Sequence, residues 1–390
     1  MRLRGAVVVL CSTVLVVLAA PASALDLGQW IPGLKLSPFF SERVEYESNV
    51  FQAPDHEQSD VVFKTIPGFL ADYTFGPHSL SAGYRAEILN WVNFPSQDTV
   101  HHIGVTQLRL DFPRLLVNLR DDFVRTSDPP GTELTGRIKS TTNVLQPETE
   151  YRLTDRFAVG ANYAWTRVRF DDDVFAALLD RDEHLIGASV FWKFLPKTDL
   201  RLSYNYVRKA FTVTSDRDVD LHTLLLGVRG DLTAKLSSTF RIGIQHREPR
   251  ASFQPGYTGV VMGGDWIYRL SDRTTITLVT DRSLQESTFG TVPYYVTTNA
   301  TLGVQHQFFR KLTASLRVAG GMNDYPSKQT LDSQTDWRSD GFFIGAIGFE
   351  YQIQPWLSVG GEYMHSFRQS NFDAFDYRDN KVVGKVTLQF

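Results

Sequence analysis

The chain has 390 residues, with 40 Lys and Arg against 43 Asp and Glu. This slightly acidic balance lacks the basic footprint that nucleic-acid binding requires, so we expect no nucleic-acid partner. No stretch after residue 24 approaches the roughly 20 consecutive apolar residues of a membrane-spanning helix, which excludes a helical membrane protein.

The first 24 residues have the three parts of a secretory signal peptide. Two arginines lie near the start, an apolar run follows, and Ala22-Ser23-Ala24 offers a small-residue cleavage site. A membrane anchor is the competing interpretation, but the apolar run is short for one. We therefore expect cleavage near Ala24, which also removes the only cysteine, Cys11. No linker divides residues 25–390, so we expect them to form one domain.

Along residues 25–390, apolar and polar residues alternate as they do in β-strands. In the last nine residues the apolar positions are Val382, Gly384, Val386, Leu388 and Phe390, alternating mainly with polar ones. Such runs span about 10 to 16 residues, whereas a tilted strand crosses a bilayer in about 9 to 11 and soluble strands usually have five or six. We predict an all-β fold, a transmembrane antiparallel up-and-down β-barrel of about 18 strands, with 16 as an alternative count.

The predicted strands follow one another in chain order with short and long connections in alternation. They cover residues 36–47, 58–74, 78–91, 99–111, 115–125, 139–153, 156–170, 183–195, 198–211, 218–233, 236–249, 256–270, 273–287, 292–309, 311–322, 339–353, 356–370 and 377–390. Eight tight-turn signals mark the short connections: Gly76-Pro77, Pro113-Arg114, Thr154-Asp155, Pro196-Lys197, Thr233-Ala234, Ser271-Asp272, Arg310-Lys311 and Gln354-Pro355. Looser, charged loops such as 171–183 and 323–339 predict the opposite, outer end.

Aromatic residues arrive just before several short turns, which places them at one rim, where amphipathic rings favour the headgroup level. The last strand ends on Phe390. A terminal aromatic residue on a final alternating strand resembles the signal by which outer-membrane barrels are recognised for assembly. We therefore expect Phe390 to act as an assembly signal and the barrel-assembly machinery to be a partner.

The turn sequences also carry a family resemblance. Leu153-Thr154-Asp155-Arg156 and Leu270-Ser271-Asp272-Arg273 share a Leu-x-Asp-Arg pattern after an aromatic residue, and runs such as 158–169 and 200–208 follow such turns. The whole mature chain resembles the putative β-barrel porin 2 family. That resemblance implies an outer-membrane location and a role in exopolysaccharide secretion, with a periplasmic polysaccharide-export protein as a further partner.

Many positions on the polar face carry charge, and opposite charges recur two positions apart. The candidate lumen-lining residues are Arg85, Glu87, Arg109, Asp111, Arg120, Asp122, Arg241, Arg247, Asp265, Arg269, Glu362 and Arg368, with Arg229 and Asp231 as a further pair. Their functional interpretation is a wet lumen that hydrogen-bonds a passing hydrophilic solute. The structural interpretation is that cross-strand ion pairs hold the wall together, at about 0.2–1 kcal/mol each.

Other conspicuous residues receive structural interpretations. The seven tryptophans are expected in aromatic girdles or loops. His101-His102 is expected at a solvated loop end rather than in a metal site, because no cysteine or helical histidine spacing accompanies it. The acidic segment 171–183 lacks the ligand spacing of a defined calcium loop and is expected to be solvated, near lipopolysaccharide.

Function is therefore expected to be transport without a cofactor or a metal. The first hypothesis is an outer-membrane conduit that exports an exopolysaccharide, and the alternative is a general or substrate-specific diffusion porin. A barrel enzyme or a purely structural barrel is a further alternative, although no nucleophile elbow, phosphate loop or dinucleotide fingerprint is present. Outer-membrane lipids and lipopolysaccharide are the expected surroundings of the barrel wall.

Overall fold

The structure is a computed structural model in which residues 31–129, 133, 136–289, 292–331 and 334–390 are described. The predicted signal peptide, residues 1–24, lies outside the described residues, so cleavage near Ala24 stays a prediction. No helix in these described ranges is long and apolar enough to cross a membrane.

Eighteen strands and one short α-helix account for most of the described chain. The strands are β1 Leu34–Glu47, β2 Asp60–Phe75, β3 His78–Trp91, β4 Thr99–Asp111, β5 Leu115–Thr126, β6 Ser140–Arg152, β7 Phe157–Phe170, β8 Arg181–Leu195, β9 Thr198–Phe211, β10 Val219–Asp231, β11 Leu236–Pro249, β12 Tyr257–Ser271, β13 Thr274–Glu286, β14 Tyr294–Phe309, β15 Leu312–Leu331, β16 Gln334–Gln354, β17 Leu357–Ser370 and β18 Tyr377–Gln389. Helix α1 spans Asp173–Leu179, and 3₁₀ turns lie at Pro95–Gln97, Ser215–Arg217 and Asp373–Phe375.

Each strand pairs antiparallel with its neighbours in sequence, and β1 pairs with β18. At this seam Phe40 lies opposite Leu388, and the ladder continues to Glu47 opposite Lys381. The sheet therefore closes on itself and leaves no edge strand, which is what a membrane requires of a β-structure. The predicted barrel of 18 antiparallel strands is confirmed, and the alternative count of 16 is wrong.

All eight predicted tight turns fall at strand connections at one end of the barrel, although Ser271 and Gln354 are still the last residues of β12 and β16. The β2–β3 turn contains only two residues, and its Gly76 has φ +62°, a conformation that glycine adopts without steric cost. Register shifts occur just before four of these turns, at the ends of β8, β12, β14 and β16. Short turns face the periplasm in outer-membrane barrels, and the longer loops face outside.

The outer end differs from the sequence prediction in two places. The segment 323–339, predicted as a loop, belongs mainly to the long β15–β16 hairpin, where Lys328 pairs with Trp337. The acidic segment 171–183 contains helix α1, because the Asp172 carboxylate accepts hydrogen bonds from the Val174 and Phe175 amides and caps it. Local ladder pairing and a helix cap therefore order segments whose charge predicted solvated loops.

The outer surface of the barrel wall is apolar. Large residues such as Ile186, Ile244 and Ile347 are about 60% exposed, at 60%, 59% and 59% respectively. This is the reverse of a soluble protein and suits a hydrocarbon solvent. The buried apolar clusters of the described residues are small and lie toward the outer end, for example Val50, Val62, Leu89 and Trp91.

Candidate functional site: the barrel lumen

The inner face of the wall can be assigned from the ladder registers. Residues directly opposite each other on paired strands share a face, and a cavity of about 870 Å³ is lined by alternate residues of several strands. On β18, for example, Lys381, Lys385 and Gln389 line this cavity. Continuing the registers around the barrel assigns every strand, and most of the exposed aliphatic residues of the strands fall on the opposite, lipid-facing side, with exceptions that include Leu70 and Val279.

All twelve candidate lumen residues have inward parity in these registers. Arg109 lies opposite Ser79, and Arg241 lies opposite both Gly227 and Gly263. Glu362 lines the cavity directly. Their position on the inner wall is thus a geometric finding, while their contact with a transported solute stays a prediction.

Three of the predicted charge pairs form, but they run along one strand. The closest distances are 2.8 Å for Arg85–Glu87, 3.1 Å for Arg109–Asp111 and 2.6 Å for Arg120–Asp122. Pairs two residues apart on one strand do not join neighbouring strands, so their interpretation as cross-strand braces is wrong. Each arginine side chain remains nearly half exposed, at 45–48%, so these ion pairs line a wet wall and contribute little stability.

The other predicted pairs have different partners. Arg229 reaches across strands to Glu150 and Asp199, both at 3.0 Å, instead of Asp231. Arg269 donates a long 3.4 Å hydrogen bond to Ser237, and no ion pair with Asp265 is formed. Arg229 therefore does form cross-strand ion pairs, but with Glu150 and Asp199. The pairing with Asp231 that the sequence spacing predicted is wrong.

The outer end of the lumen is bridged by side chains from strands that are not neighbours. Lys209 on β9 contacts Glu286 on β13 at 3.0 Å and Glu183 on β8 at 3.7 Å. Arg217 donates hydrogen bonds to the Ser287 and Pro293 carbonyls at 2.8 and 2.9 Å. Because β10, β11 and β12 separate β9 from β13, these contacts cross the interior. They hold residues 286–289 and 292–295 toward the interior.

Glu133 joins this inward segment to the opposite wall. Its carboxylate accepts hydrogen bonds from the Ser287 hydroxyl at 2.8 Å and from the Thr288 amide and hydroxyl at 2.6 and 3.0 Å. Its carbonyl accepts a 2.9 Å hydrogen bond from Arg368, one of the predicted lumen residues. Burial raises the pKa of Glu133 above the ordinary 4.5, although the bonds from Thr288 and Ser287 oppose the rise.

A fully buried ion pair belongs to the same set of interior contacts. We call this set, with Lys209, Arg217 and Glu133, the outer bridge. Arg338 and Asp340 approach to 2.6 Å with no exposed side-chain surface, and the guanidinium lies 3.4 Å from the Phe375 ring centre and 4.5 Å from that of Tyr325. Arg247, another predicted lumen residue, is 1% exposed and stacks over Tyr294 at 4.7 Å. Arg247 and Arg368 are thus buried anchors of this outer bridge and do not line open water.

The paired histidines lie on a strand, so the solvated-loop interpretation is wrong. His101 is inward and 2% exposed, and its Nε2 lies 2.9 Å from the Ser127 hydroxyl, while Nδ1 is 3.7 Å from Glu87. Ser127, His101 and Glu87 thus follow one another in the order of a Ser-His-Glu catalytic triad. However, Ser127 also donates its own amide to Nε2 at 3.0 Å, which occupies the lone pair a general base would use. The arrangement therefore ties a loop to the wall.

Among the six tryptophans of the described residues, Trp91 differs from the expected girdle or loop position, and Trp30 lies outside the described residues. Trp91 has inward parity, is 5% exposed and stacks with Arg137 at 4.9 Å. It packs with Val62 and Leu89 near the outer rim. Only the three-dimensional register shows this, because an aromatic residue at a strand end predicts a girdle and an inner cluster equally well.

The open part of the lumen lies on the periplasmic side of the outer bridge. Its wall includes residues of the short turns, among them Arg310, Lys311 and Trp356. Seven cations line the cavity against three acids: Arg43, Lys64, Arg310, Lys311, Arg317, Lys381 and Lys385, and Glu45, Glu350 and Glu362. Each acid pairs with one cation, at 2.7 Å for Lys64–Glu45, 2.5 Å for Lys385–Glu350 and 3.7 Å for Arg317–Glu362.

The remaining cations make the net charge of the cavity lining positive. Lys381 lies 3.3 Å from Glu47. Among the described residues, Arg43, Arg310 and Lys311 have no acidic partner. Clefts lined by one sign of charge raise the local concentration of the opposite ion. The charged side chains that line the inner cavity are mostly positive.

A closed antiparallel barrel with an apolar exterior and a charged, hydrated interior defines an outer-membrane β-barrel porin. The Putative beta-barrel porin 2 family matches residues 26–390, and the chain belongs to this family. This confirms the resemblance drawn from the turn sequences. A comparison with curated proteins finds no match.

Solved structures of outer-membrane porins share the fold. OpdQ of Pseudomonas aeruginosa is 12% identical, covers 92% of this chain and 99% of its own, and has a TM-score of 0.50. A BenF-like porin from Pseudomonas fluorescens is 10% identical over 91% of this chain and 99% of its own, also with a TM-score of 0.50. At these identities the likeness concerns the fold alone.

Proposed function

We propose that the protein is a diffusion porin for small hydrophilic solutes, with a preference for negatively charged ones. The observation that carries the proposal is the cavity of about 870 Å³, whose wall holds seven cations against three acids. Eighteen strands enclose more space than wall side chains alone fill. Contacts such as Lys209–Glu286 at 3.0 Å narrow the outer end, which suits small solutes better than a wide polymer exit.

Transport would proceed by passive exchange. A solute entering the lumen meets guanidinium and ammonium groups that replace part of its hydration, and neighbouring sites along the wall keep each interaction weak enough to release it. Arg43, Arg310 and Lys311 supply charge that no acid neutralises within the described chain. No cofactor and no energy source are part of this mechanism.

Solute uptake into proteoliposomes tests the proposal. The full mature chain is reconstituted, and the entry of radiolabelled gluconate, glucose and glucosamine is compared, because these solutes are similar in size and differ in charge. We expect all three to enter faster than into protein-free vesicles, with gluconate fastest. Entry no faster than in protein-free vesicles would overturn the porin proposal.

Export of an exopolysaccharide is the second candidate. One observation favours it: uncharged hydrogen-bonding side chains also line the cavity, which suits hydroxyl-rich sugars. They are Gln305, Gln307, Gln352, Gln389, Thr313, Thr387, Ser315 and Ser358. In this proposal a periplasmic polysaccharide-export protein supplies direction. A deletion strain that accumulates polymer in the periplasm while its surface polysaccharide falls would support export, and unchanged surface polysaccharide would argue against it.

A further inference from the structure

Four hairpins at the outer end of the barrel share one pattern of backbone capping. They are β3–β4, β7–β8, β9–β10 and β17–β18, and each loop contains a helical turn. In each, an aspartate just before the second strand accepts the amide of the last residue of the first strand: Asp98 from Trp91, Asp180 from Phe170, Asp218 from Phe211 and Asp376 from Ser370, at 2.6–2.8 Å. The shared cap fixes the same register in all four hairpins.

The same hairpins place a tyrosine next to a hydrogen-bonding partner. Tyr84, Tyr163, Tyr204 and Tyr363 each lie seven residues before the end of the first strand, and His102, His184, His222 and Asn380 each lie three residues after the start of the second. In the three histidine pairs the phenol oxygen is 2.7 Å from Nδ1. We call these three pairs the Tyr–His belt. All six residues have the lipid-facing parity; the histidines lie in the outer part of their strands, and the tyrosines lie near the strand midpoints.

The hydrogen bond fixes what each histidine offers to the lipid. A phenol hydroxyl at the edge of the hydrocarbon must donate its proton, because an unpaired donor there is costly. Its only recorded acceptor in each pair is Nδ1, so Nδ1 accepts and the proton of the neutral ring is on Nε2. Within the described chain, Nε2 of His102, His184 and His222 has no hydrogen-bond partner. Each ring therefore offers one oriented N–H donor to the outer leaflet.

Two of the pairs form one continuous patch on β7–β10 that also carries positive charge. Arg167 and Arg208 lie four residues beyond Tyr163 and Tyr204 on the same face. Asp182 is shared by Arg167 at 3.0 Å and Arg169 at 2.5 Å, and Asp220 is held by Arg250 at 2.8 Å. The patch therefore has more arginines than acidic side chains, and its net charge is positive.

We propose that the outer ends of β7–β10 bind the phosphate groups of lipopolysaccharide. The Nε2–H groups of His184 and His222 donate hydrogen bonds to phosphate oxygens, and Arg167 and Arg208 supply the opposing charge. Charge complementarity selects this occupant, since Arg167 and Arg208 lie three residues before the outer ends of β7 and β9, and a phosphorylated glycolipid presents anions at the outer rim of the barrel. The site is separate from the lumen and does not depend on what the lumen transports.

Native mass spectrometry of the detergent-purified full chain tests the proposal. The probe is bis-phosphorylated lipid A, with dephosphorylated lipid A as the comparison. We expect the phosphorylated form to bind the wild-type chain at least about tenfold more tightly, which is the order expected for even one hydrogen bond to a charged group. Equal binding of the two lipids would overturn the proposal without any variant.

The variant His184→Phe/His222→Phe keeps an apolar ring on the lipid face and removes the donors. We expect it to lose most of the preference for the phosphorylated lipid. The matched control is His306→Phe, because His306 also faces lipid and bonds a threonine hydroxyl through Nδ1 at 2.9 Å, but lies at the periplasmic end. An unchanged preference in the double variant, or an equal loss in the control, would contradict the proposal. Heat-dependent gel mobility verifies folding.

Discussion

Val382 and Val383 are neighbours of the same residue type that face different solvents. Val382 lies on the lipid face and is 51% exposed, whereas Val383 lines the inner cavity. Both lie near the middle of β18, where the membrane is most apolar. The change in the free energy of unfolding when a charge is placed at each position therefore tests directly which face of β18 contacts lipid.

The first prediction concerns this pair. Val382→Arg should lower the free energy of unfolding by about 2–4 kcal/mol, because it places a cation near the bilayer midplane. Val383→Arg adds the same side chain to the hydrated lumen and should change stability by less than about 1 kcal/mol. Urea unfolding of the two variants in lipid vesicles compares them, and similar losses would mean that the face assignment is wrong.

The second prediction concerns the buried carboxyl group of Glu133. Burial raises its pKa above 4.5, so the protonated form is favoured in the folded bridge. Its contribution is fully present below the ordinary pKa and is lost as pH rises through the raised pKa. The outer bridge should therefore be tighter in acid, and channel conductance should increase as pH rises through the raised pKa of Glu133.

Two variants decide whether Glu133 causes this dependence. Glu133→Gln cannot ionise and should flatten the pH profile of conductance. Glu57→Gln, which changes an exposed carboxylate in the β1–β2 loop, should leave the profile as in the wild type. A profile that keeps its slope in Glu133→Gln would assign the effect to other groups.

Side-chain parity could be predicted from sequence, while the contacts of individual charges could not. Alternation with a period of two assigns Arg109 or Glu362 to a face without knowledge of the fold. The partner of Arg229 depends on which residues of β6 and β9 come close, and the partner of Glu133 lies 155 residues away. Such contacts follow from closure of the barrel and inward folding of loops, which leave no local pattern.

At the scale of the strand, the most consequential element is β18, which closes the barrel. Its ladder with β1 extends from Phe39–Gln389 to Glu47–Lys381, and the Phe390 amide donates a 3.0 Å hydrogen bond to the Pro38 carbonyl. The last residue of the chain thus contributes to the seam itself. This contact gives the proposed assembly signal a structural role in addition to recognition.

The third prediction is that deletion of Phe390 slows assembly. The deletion removes the terminal ring and one seam hydrogen bond, worth about 0.5–1.5 kcal/mol. Pulse-labelled cells should show slower conversion to the heat-modifiable, folded form. Phe390→Trp keeps an aromatic ring and the amide and should assemble at the wild-type rate. Normal assembly of the deletion variant would remove Phe390 from the assembly signal.

Strand boundaries and short turns were predictable because bilayer thickness and alternation constrain them together. The outer hairpins were predicted less well, since helix α1 and the long β15–β16 hairpin depend on local caps and pairing. A usable signal was nevertheless present. An aspartate precedes the histidine by four residues in Asp98–His102, Asp180–His184 and Asp218–His222, and this repeat marks three of the four capped hairpins.

At the scale of the whole molecule, positive and negative charges are paired along much of the barrel wall, whereas the inner cavity has more positive than negative side chains. Paired charges such as Arg120–Asp122 keep most of the lumen hydrated without a strong field. Among the cavity-lining residues, Arg43, Arg310 and Lys311 have no acidic partner within the described chain. In the proposed porin, these few side chains would set the preference for anions.

The fourth prediction isolates that preference. Arg43→Gln and Lys311→Gln together remove two unpaired cations from the cavity wall and should shift ion selectivity toward cations, with little change in stability. Arg114→Gln, which alters a cation in the β4–β5 turn outside the cavity lining, is the control. Reversal potentials in a potassium chloride gradient measure the shift. An equal shift in the control would assign selectivity to the rim as a whole.

Planar-bilayer recording of the purified full chain tests the central claim most directly, because that claim is a continuous aqueous path through the barrel. We expect discrete, ohmic conductance steps and a reversal potential on the anion-selective side in a potassium chloride gradient. Conductance with cation selectivity would contradict the charge assignment of the cavity. Membranes that remain silent after insertion of folded protein would contradict the conduit itself.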